Sequence, residues 1–258
     1  MTDAHYHRDG YATFLTLRDR EFRFYGVHPW EAARAERAPY QGDECVAELR
    51  AALEADEHAG VGEIGLDRLK VKTIPSEQRA VFAAQLEIAA EFRRPVVLHG
   101  AKCWGEVVAA CRPYAGRIPA FLFHGFSRSG GLLPDITALN GFVGVGAALL
   151  NDHAVNYRAL VKEIPLERLL VETDADYGRD EDWAATSAAP PAPWPQRERS
   201  RLSRPNDWAA TSAAPPAAGA VALVATVLRK LAELRGMAPD ELEAALDANA
   251  VRFVEALA

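Results

Sequence analysis

Short apolar runs alternate with amphipathic stretches along most of this chain, the pattern of repeated strand–helix units packed around one core. The runs predict strands at Thr2–His7, Phe22–His28, Gly60–Gly65, Pro95–His99, Pro119–His124, Gly141–Gly146 and Arg168–Asp174, with Thr13–Leu17 as an eighth candidate. Between them, Val46, Leu49 and Leu53 recur at helical spacing, and so do Phe82, Leu86 and Ala89. A closing helix from about Pro239 carries Leu242, Leu246, Phe253 and Leu257, its proline suited to a first helical turn. The expected fold class is α/β, a TIM-barrel-like single domain spanning residues 1–258. Several predicted strands finish on His, Glu or Asp. Barrel active sites gather at the C-terminal ends of the strands, so those endings direct attention to them.

One stretch breaks the rhythm. Asp182–Ala192 recurs residue for residue as Asp207–Ala217, and the surroundings are rich in Ala, Pro, Ser and Arg. Identity of this kind points to a tandem duplication in the coding sequence, since a stacking structural repeat drifts and needs about three copies. The segment 182–217 is expected to be a flexible insertion after the last strand. A second reading has Trp183, Trp194 and Trp208 stacking on a substrate strand.

Composition narrows the classes. The chain has 258 residues, 49% hydrophobic and 25% charged, ordinary values for a globular protein. No apolar run reaches the roughly 18 residues of a membrane span, and no signal peptide is visible. Cys45, Cys103 and Cys111 form no C-x-x-C pair, which favours reduced thiols and a cytoplasmic location. The net charge of −7 disfavours binding nucleic acid along a broad basic face. It is compatible with a nuclease whose bound cations and local basic groups receive the phosphates.

The ionisable strand ends form a coherent set. In Asp3-Ala-His5-Tyr-His7 the two histidines are two apart and share one face of a strand. In Gly62-Glu63-Ile-Gly65-Leu-Asp67, Glu63 stands before the turn as a ligand or base, and Asp67 reads as a turn or supporting group. His99 and His124 each close an apolar run, and Asp174 ends the last strand with Glu172 deeper on the same face. Four histidines and two carboxylates, Glu63 and Asp174, could hold two cations with one carboxylate between them. Imidazole with carboxylate suits Zn²⁺, Mn²⁺, Fe or Ni²⁺. Such a cation acidifies water, and Asp174 could orient or deprotonate that water.

These motifs, taken in order, resemble the TatD family of metal-dependent hydrolases. The resemblance rests on Asp3–His7, Gly26-Val-His-Pro29, Gly62–Asp67, Pro95–His99, His124-Gly-Phe-Ser127, Glu172-Thr-Asp174 and Asn249–Phe253. It runs from residue 3 to about 255, the duplicated segment excepted. It implies a distorted (β/α) barrel and a deoxyribonuclease dependent on one or two divalent cations (Mg²⁺, Mn²⁺, Zn²⁺ or Ni²⁺), often acting from a DNA 3′ end. It carries a ligand role to His5, His7, Glu63, His99, His124 and Asp174, with Glu63 bridging and with Glu63 and Asp174 as catalytic residues. In that scheme His5, His7 and Asp174 hold one cation, and His99 and His124 the other. His28 matches a family position near the site and is read as a structural histidine. About 20 residues separate His7 from Gly26, where longer members place a full helix and strand, so this chain looks like a short form. The family's proline after the last aspartate is here Asp176. Lys102 and Arg128, beside strand ends, are candidates for phosphate contact. DNA is the expected partner, with no membrane and no obligate protein partner. The alternatives are an amidohydrolase-type enzyme cleaving C–N or C–O bonds and a degenerate barrel acting as a binding module.

Overall fold

A computed structural model of the chain describes residues 1–7, 12–18, 20–32, 42–69, 71–127, 130–175 and 218–257. The duplicated segment, Asp176 and Arg128 lie outside them. Eight strands form one sheet in chain order: β1 Thr2–His7, β2 Ala12–Leu17, β3 Arg20–Tyr25, β4 Gly60–Asp67, β5 Val96–Ala101, β6 Phe121–Phe123, β7 Gly141–Val145 and β8 Leu169–Val171. From β3 onward neighbouring strands are parallel, whereas β1–β2 and β2–β3 are antiparallel. The candidate eighth strand is therefore real. It fills the short interval between His7 and Gly26 with a returning strand, because an antiparallel turn needs only a few residues and a parallel crossover needs a dozen or more. The helices are α1 Pro29–Ala32, α2 Gly42–Ala55, α3 Ser76–Phe92, α4 Trp104–Cys111, α5 Leu133–Ala138, α6 Val155–Glu163, α7 Ala218–Arg235 and α8 Pro239–Val254. None of the helices among the described residues is long and apolar enough to cross a membrane.

Alternation within strands builds two apolar layers. On β5, Val96 and Leu98 pack outward with Phe82, Leu86 and Val107 of the helices. Val97 turns the other way and joins Leu122, Phe142 and Leu170 of β6, β7 and β8. Phe253 of α8 closes that inner layer, its ring 5.8 Å from those of both Phe24 and Phe142. Asn249 pins the same helix by donating to the carbonyls of Leu166 and Leu169 at 2.7 and 2.6 Å. With one end of the bore filled by phenylalanine and leucine, the ionisable residues occupy the strand-end positions beyond that layer.

Some strands stop earlier than the apolar runs suggested. β3 ends at Tyr25, so His28 lies in the turn that opens α1. β8 ends at Val171, so Glu172 and Asp174 follow the regular strand. β4 keeps all eight of its residues buried. At Gly65, φ is +149°, and a Cβ there would stand 2.0 Å from the carbonyl oxygen of His99. Only glycine lets β4 approach β5 so closely beside Glu63 and His99.

The barrel closes between β1 and the segment after β8. His7 N–H donates to Ala175 O at 2.8 Å, and Asp174 N–H donates to His5 O at 3.0 Å. Buried Asp3 reinforces the seam by accepting from Thr173 N–H at 2.9 Å and from Thr173 Oγ–H at 2.7 Å. Asp3→Ala leaves that backbone donor without its acceptor. We expect it to lower the unfolding free energy by about 1–3 kcal/mol, read by urea denaturation followed by circular dichroism. Unchanged stability would mean that the backbone bonds hold the seam unaided.

Candidate metal centre

The period of a strand places His5 and His7 on one face of β1, with ring centroids 4.9 Å apart. The seam then sets Asp174 against them. Asp174 Oδ1 lies 3.6 Å from His5 Nε2 and 3.5 Å from His7 Nε2. From β4, Glu63 Oε2 stands 3.5 and 3.6 Å from the same two nitrogens. Its other oxygen, Oε1, faces a different group: His124 Nε2 at 2.6 Å, His99 Nδ1 at 2.7 Å and His28 Nε2 at 3.7 Å. His124 stands between the groups, its ring 4.2 Å from that of His5. All six residues expected as ligands therefore converge.

This donor set suits divalent cations. Two ligands each about 2.0–2.2 Å from a shared tetrahedral ion lie about 3.4 Å apart. That spacing matches the distances of 3.5–3.6 Å among His5, His7, Glu63 and Asp174. Around Glu63 Oε1 the shorter contacts are hydrogen bonds. Both ring nitrogens of buried His5 lack a hydrogen-bond partner, as do His124 Nδ1 and Glu172 Oε2. Buried polar atoms are normally satisfied, so orphaned imidazole nitrogens facing carboxylates fit a cation-binding role. Among the described residues, His5, His7 and Asp174, and His5, Glu63 and His124, could each hold an ion; His28, Glu63 and His99 are equally close together, but the backbone bond at His28 Nδ1 leaves its Nε2 a donor.

Supporting residues complete the arrangement. Asp67 is buried, and its Oδ2 lies 3.0 Å from His99 Nε2 while accepting from Trp30 Nε1–H at 2.6 Å. Glu172 accepts from Gly125 N–H at 2.6 Å and lies 3.7 Å from His124 Nδ1. Gly144 leaves room for it, since a Cβ there would be 1.9 Å from Glu172 Oε2. Helix α3 holds two loops at the strand ends. Gln85 accepts from Val27 N–H at 2.6 Å and donates to Val27 O at 3.2 Å, and Gln78 accepts from Asp67 N–H at 3.1 Å. His28, expected as structural, comes to the site because the chain turns after Tyr25 and its Nδ1 accepts from Trp30 N–H at 3.1 Å. Sequence reasoning missed Trp30; its place directly after Gly-Val-His-Pro is the only signal for it in the sequence. Lys102 is exposed on the turn after β5, beside a cavity of about 390 Å³ that Arg68 and Trp104 also line, apart from the histidine cluster.

The electrostatics follow from crowding. Burial opposes ionisation of Glu63, but His124, His28 and His99 outweigh it and hold its pKa well below the usual carboxylate range. Burial likewise opposes charging of His124, but Glu63 and Glu172 raise its pKa well above the ordinary value. His99 is raised by Glu63 and Asp67, and His7 by Asp174, in both cases against desolvation. His5 is lowered by burial and by His124. His28 falls to about 4, chiefly through burial. Asp174 is lowered, its desolvation outweighed by the hydrogen bond with His7 and the charge of His124. Its side chain is 53% exposed, which moderates that desolvation.

The family model of TatD related DNase matches residues 3–255 of this chain. The 3′-5′ ssDNA/RNA exonuclease TatD of Cronobacter sakazakii is 30% identical over 229 residues, 88% of this chain and 74% of that protein. Its namesake from Edwardsiella piscicida is 34% identical over 153 residues, 59% of this chain and 56% of that protein. The matched part of the chain thus spans between about half and three quarters of these relatives' length. Among solved structures, YJJV, a TatD homolog from Escherichia coli k12, superposes with a TM-score of 0.62 at 25% identity, over 89% of this chain and 75% of that one. With a family match from the first strand to the closing helix, the chain belongs to the TatD related DNases.

Proposed function

We propose that this chain is a divalent-metal-dependent phosphodiesterase that hydrolyses nucleic acid, with single-stranded DNA attacked from its 3′ end as the first substrate to test. The observation that carries this reading is the bridging posture of Glu63, whose two oxygens face two different histidine groups. In this reading His5, His7 and Asp174 would hold one cation and His99 and His124 a second, with Glu63 available to both groups through its two oxygens. The mixed imidazole and carboxylate set suits Zn²⁺, Mn²⁺ or Ni²⁺ better than Mg²⁺. A bound cation supplies Lewis acidity and lowers the pKa of its water to about 7. Asp174, ionised and half open to solvent, accepts the proton from the attacking water and directs it.

His28 does different work. Its Nδ1 accepts a backbone hydrogen bond, so in the neutral ring Nε2 carries the hydrogen and is a donor. It is suited to contact a phosphate oxygen or leaving group, and unsuited to ligate. Cleavage of C–N bonds finds no support in relatives named as exonucleases. A degenerate barrel would have no reason to keep six convergent donors. We also read the chain as one cytoplasmic barrel unit, with residues 182–217 inserted between β8 and α7 and with Cys103 and Cys111 as free thiols.

Glu63→Gln removes the charge shared by both groups. It should weaken Mn²⁺ or Zn²⁺ binding by more than the roughly 10–100-fold typical of outer-sphere changes, measured by isothermal titration calorimetry. Wild-type affinity in this variant would remove the bridging role.

Asp174→Asn should keep the circular dichroism spectrum while lowering single-stranded DNA hydrolysis about 10²–10⁴-fold. Activity within a factor of about ten of wild type would exclude Asp174 as the base.

Cation binding needs neutral imidazoles and releases their protons. His7, His99 and His124 have raised pKa values, so protons compete from above the ordinary histidine value of about 6.5. Apparent metal affinity should therefore rise with pH through that region, with proton release seen as a buffer-dependent heat. A pH-independent affinity would contradict the assignment.

A further inference from the structure

Trp30 is tied by hydrogen bonds to two residues beside His99, namely His28 and Asp67. Its backbone N–H donates to His28 Nδ1 at 3.1 Å. Its indole Nε1–H donates to Asp67 Oδ2 at 2.6 Å, the oxygen that lies 3.0 Å from His99 Nε2. Asp67 Oδ1 is occupied by Leu69 N–H at 2.6 Å, so the carboxylate is gripped at both oxygens. The indole also stands edge-on to the His28 and His99 rings, with centroids 4.8 and 6.2 Å away.

An ionised carboxylate only accepts hydrogen bonds. His99 Nε2 must therefore carry the hydrogen it shares with Asp67. The other nitrogen, Nδ1, bonds Glu63 Oε1 at 2.7 Å, so with no cation bound it carries a hydrogen too, which a cation at Nδ1 would displace while Asp67 retains the hydrogen on Nε2. Which nitrogen of a histidine is available to a cation is set by the bond the other nitrogen makes, and a rotated or wrongly protonated ring presents no lone pair. Asp67 makes that choice for His99, and the indole N–H holds the same Asp67 oxygen that does so. Phenylalanine at position 30 would fill much of the same space without gripping the carboxylate.

We propose that Trp30 and Asp67 act as a pair of positioning residues that fix the orientation and tautomer of His99, and so tune one of two cation positions while leaving the other alone. This rests on the metal-centre reading above.

The test is calorimetric titration of the full chain with Mn²⁺ or Zn²⁺ alone, for wild type, Trp30→Phe, Asp67→Asn and the double variant, each checked for folding by circular dichroism. Each single variant is expected to weaken one of two binding events by about 10–100-fold and spare the other. The double variant should be no weaker than the weaker single, because both changes act through one hydrogen bond. Wild-type affinity in Trp30→Phe, equal loss at both positions, or losses that multiply in the double variant would each overturn the proposal. If Trp30→Phe does not fold, Asp67→Asn decides by the same one-position criterion. Wild-type protein that binds neither cation would instead overturn the metal reading itself.

Discussion

The seam between the first strand and the end of the last one is the constraint on which the site depends. An eight-stranded sheet left open would expose two rows of unpaired backbone groups, and closure removes both. Here closure joins residues 170 positions apart in the chain, as in the bond from Thr173 to Asp3. The same hydrogen bonds do two jobs. The bond from Asp174 N–H to His5 O seals the barrel and also sets a carboxylate beside two histidines. Asp174 adopts a left-handed backbone, φ 53°, at that point, a conformation uncommon outside glycine, and the seam bonds hold it there.

Within that frame the electrostatic problem is Glu63. A buried carboxylate is costly unless it is paired and hydrogen-bonded. Five strand or turn histidines, His5, His7, His99, His124 and His28, lie within 3.7 Å of its oxygens. The arrangement is that of a site built for positive charge: the histidines share one buried anion, and both ring nitrogens of His5 and Nδ1 of His124 lack a hydrogen-bond partner. Around it, Asp67 and Glu172 form a second ring of carboxylates behind His99 and His124. Helix α3 holds the loops after β3 and β4 through Gln85 and Gln78. Side chains on strands backed by such contacts keep their geometry better than side chains on free loops.

Trp30 and His28 show how a short turn can serve a barrel site. Because β3 stops at Tyr25, the next residues are free to fold over the strand ends, with His28 accepting the first hydrogen bonds of α1 both through its ring and through its carbonyl. The five residues from Gly26 to Trp30 thus supply one donor directed at Glu63 and one indole directed at Asp67, without adding a strand.

By itself the sequence determined the repeating strand–helix order, the closing helix and the six convergent ionisable residues. Each of these is local information: a period of two places His5 and His7 on one face, and an apolar run ending in His99 or His124 sets those rings just beyond a core layer. Its family motifs, in order, were also local. What the tertiary structure decided is everything that depends on distance across the bore. Periodicity assigns a face but no partner, so it could not tell that Glu63 divides its oxygens between two histidine groups, that His124 stands beside His5, or that Asp67 serves His99. Nor could it tell that the short interval after His7 would return as an antiparallel strand, or that Trp30 would reach Asp67, 37 residues away in the chain. Those relations are set when the sheet closes, because only closure fixes how far apart the strand ends lie.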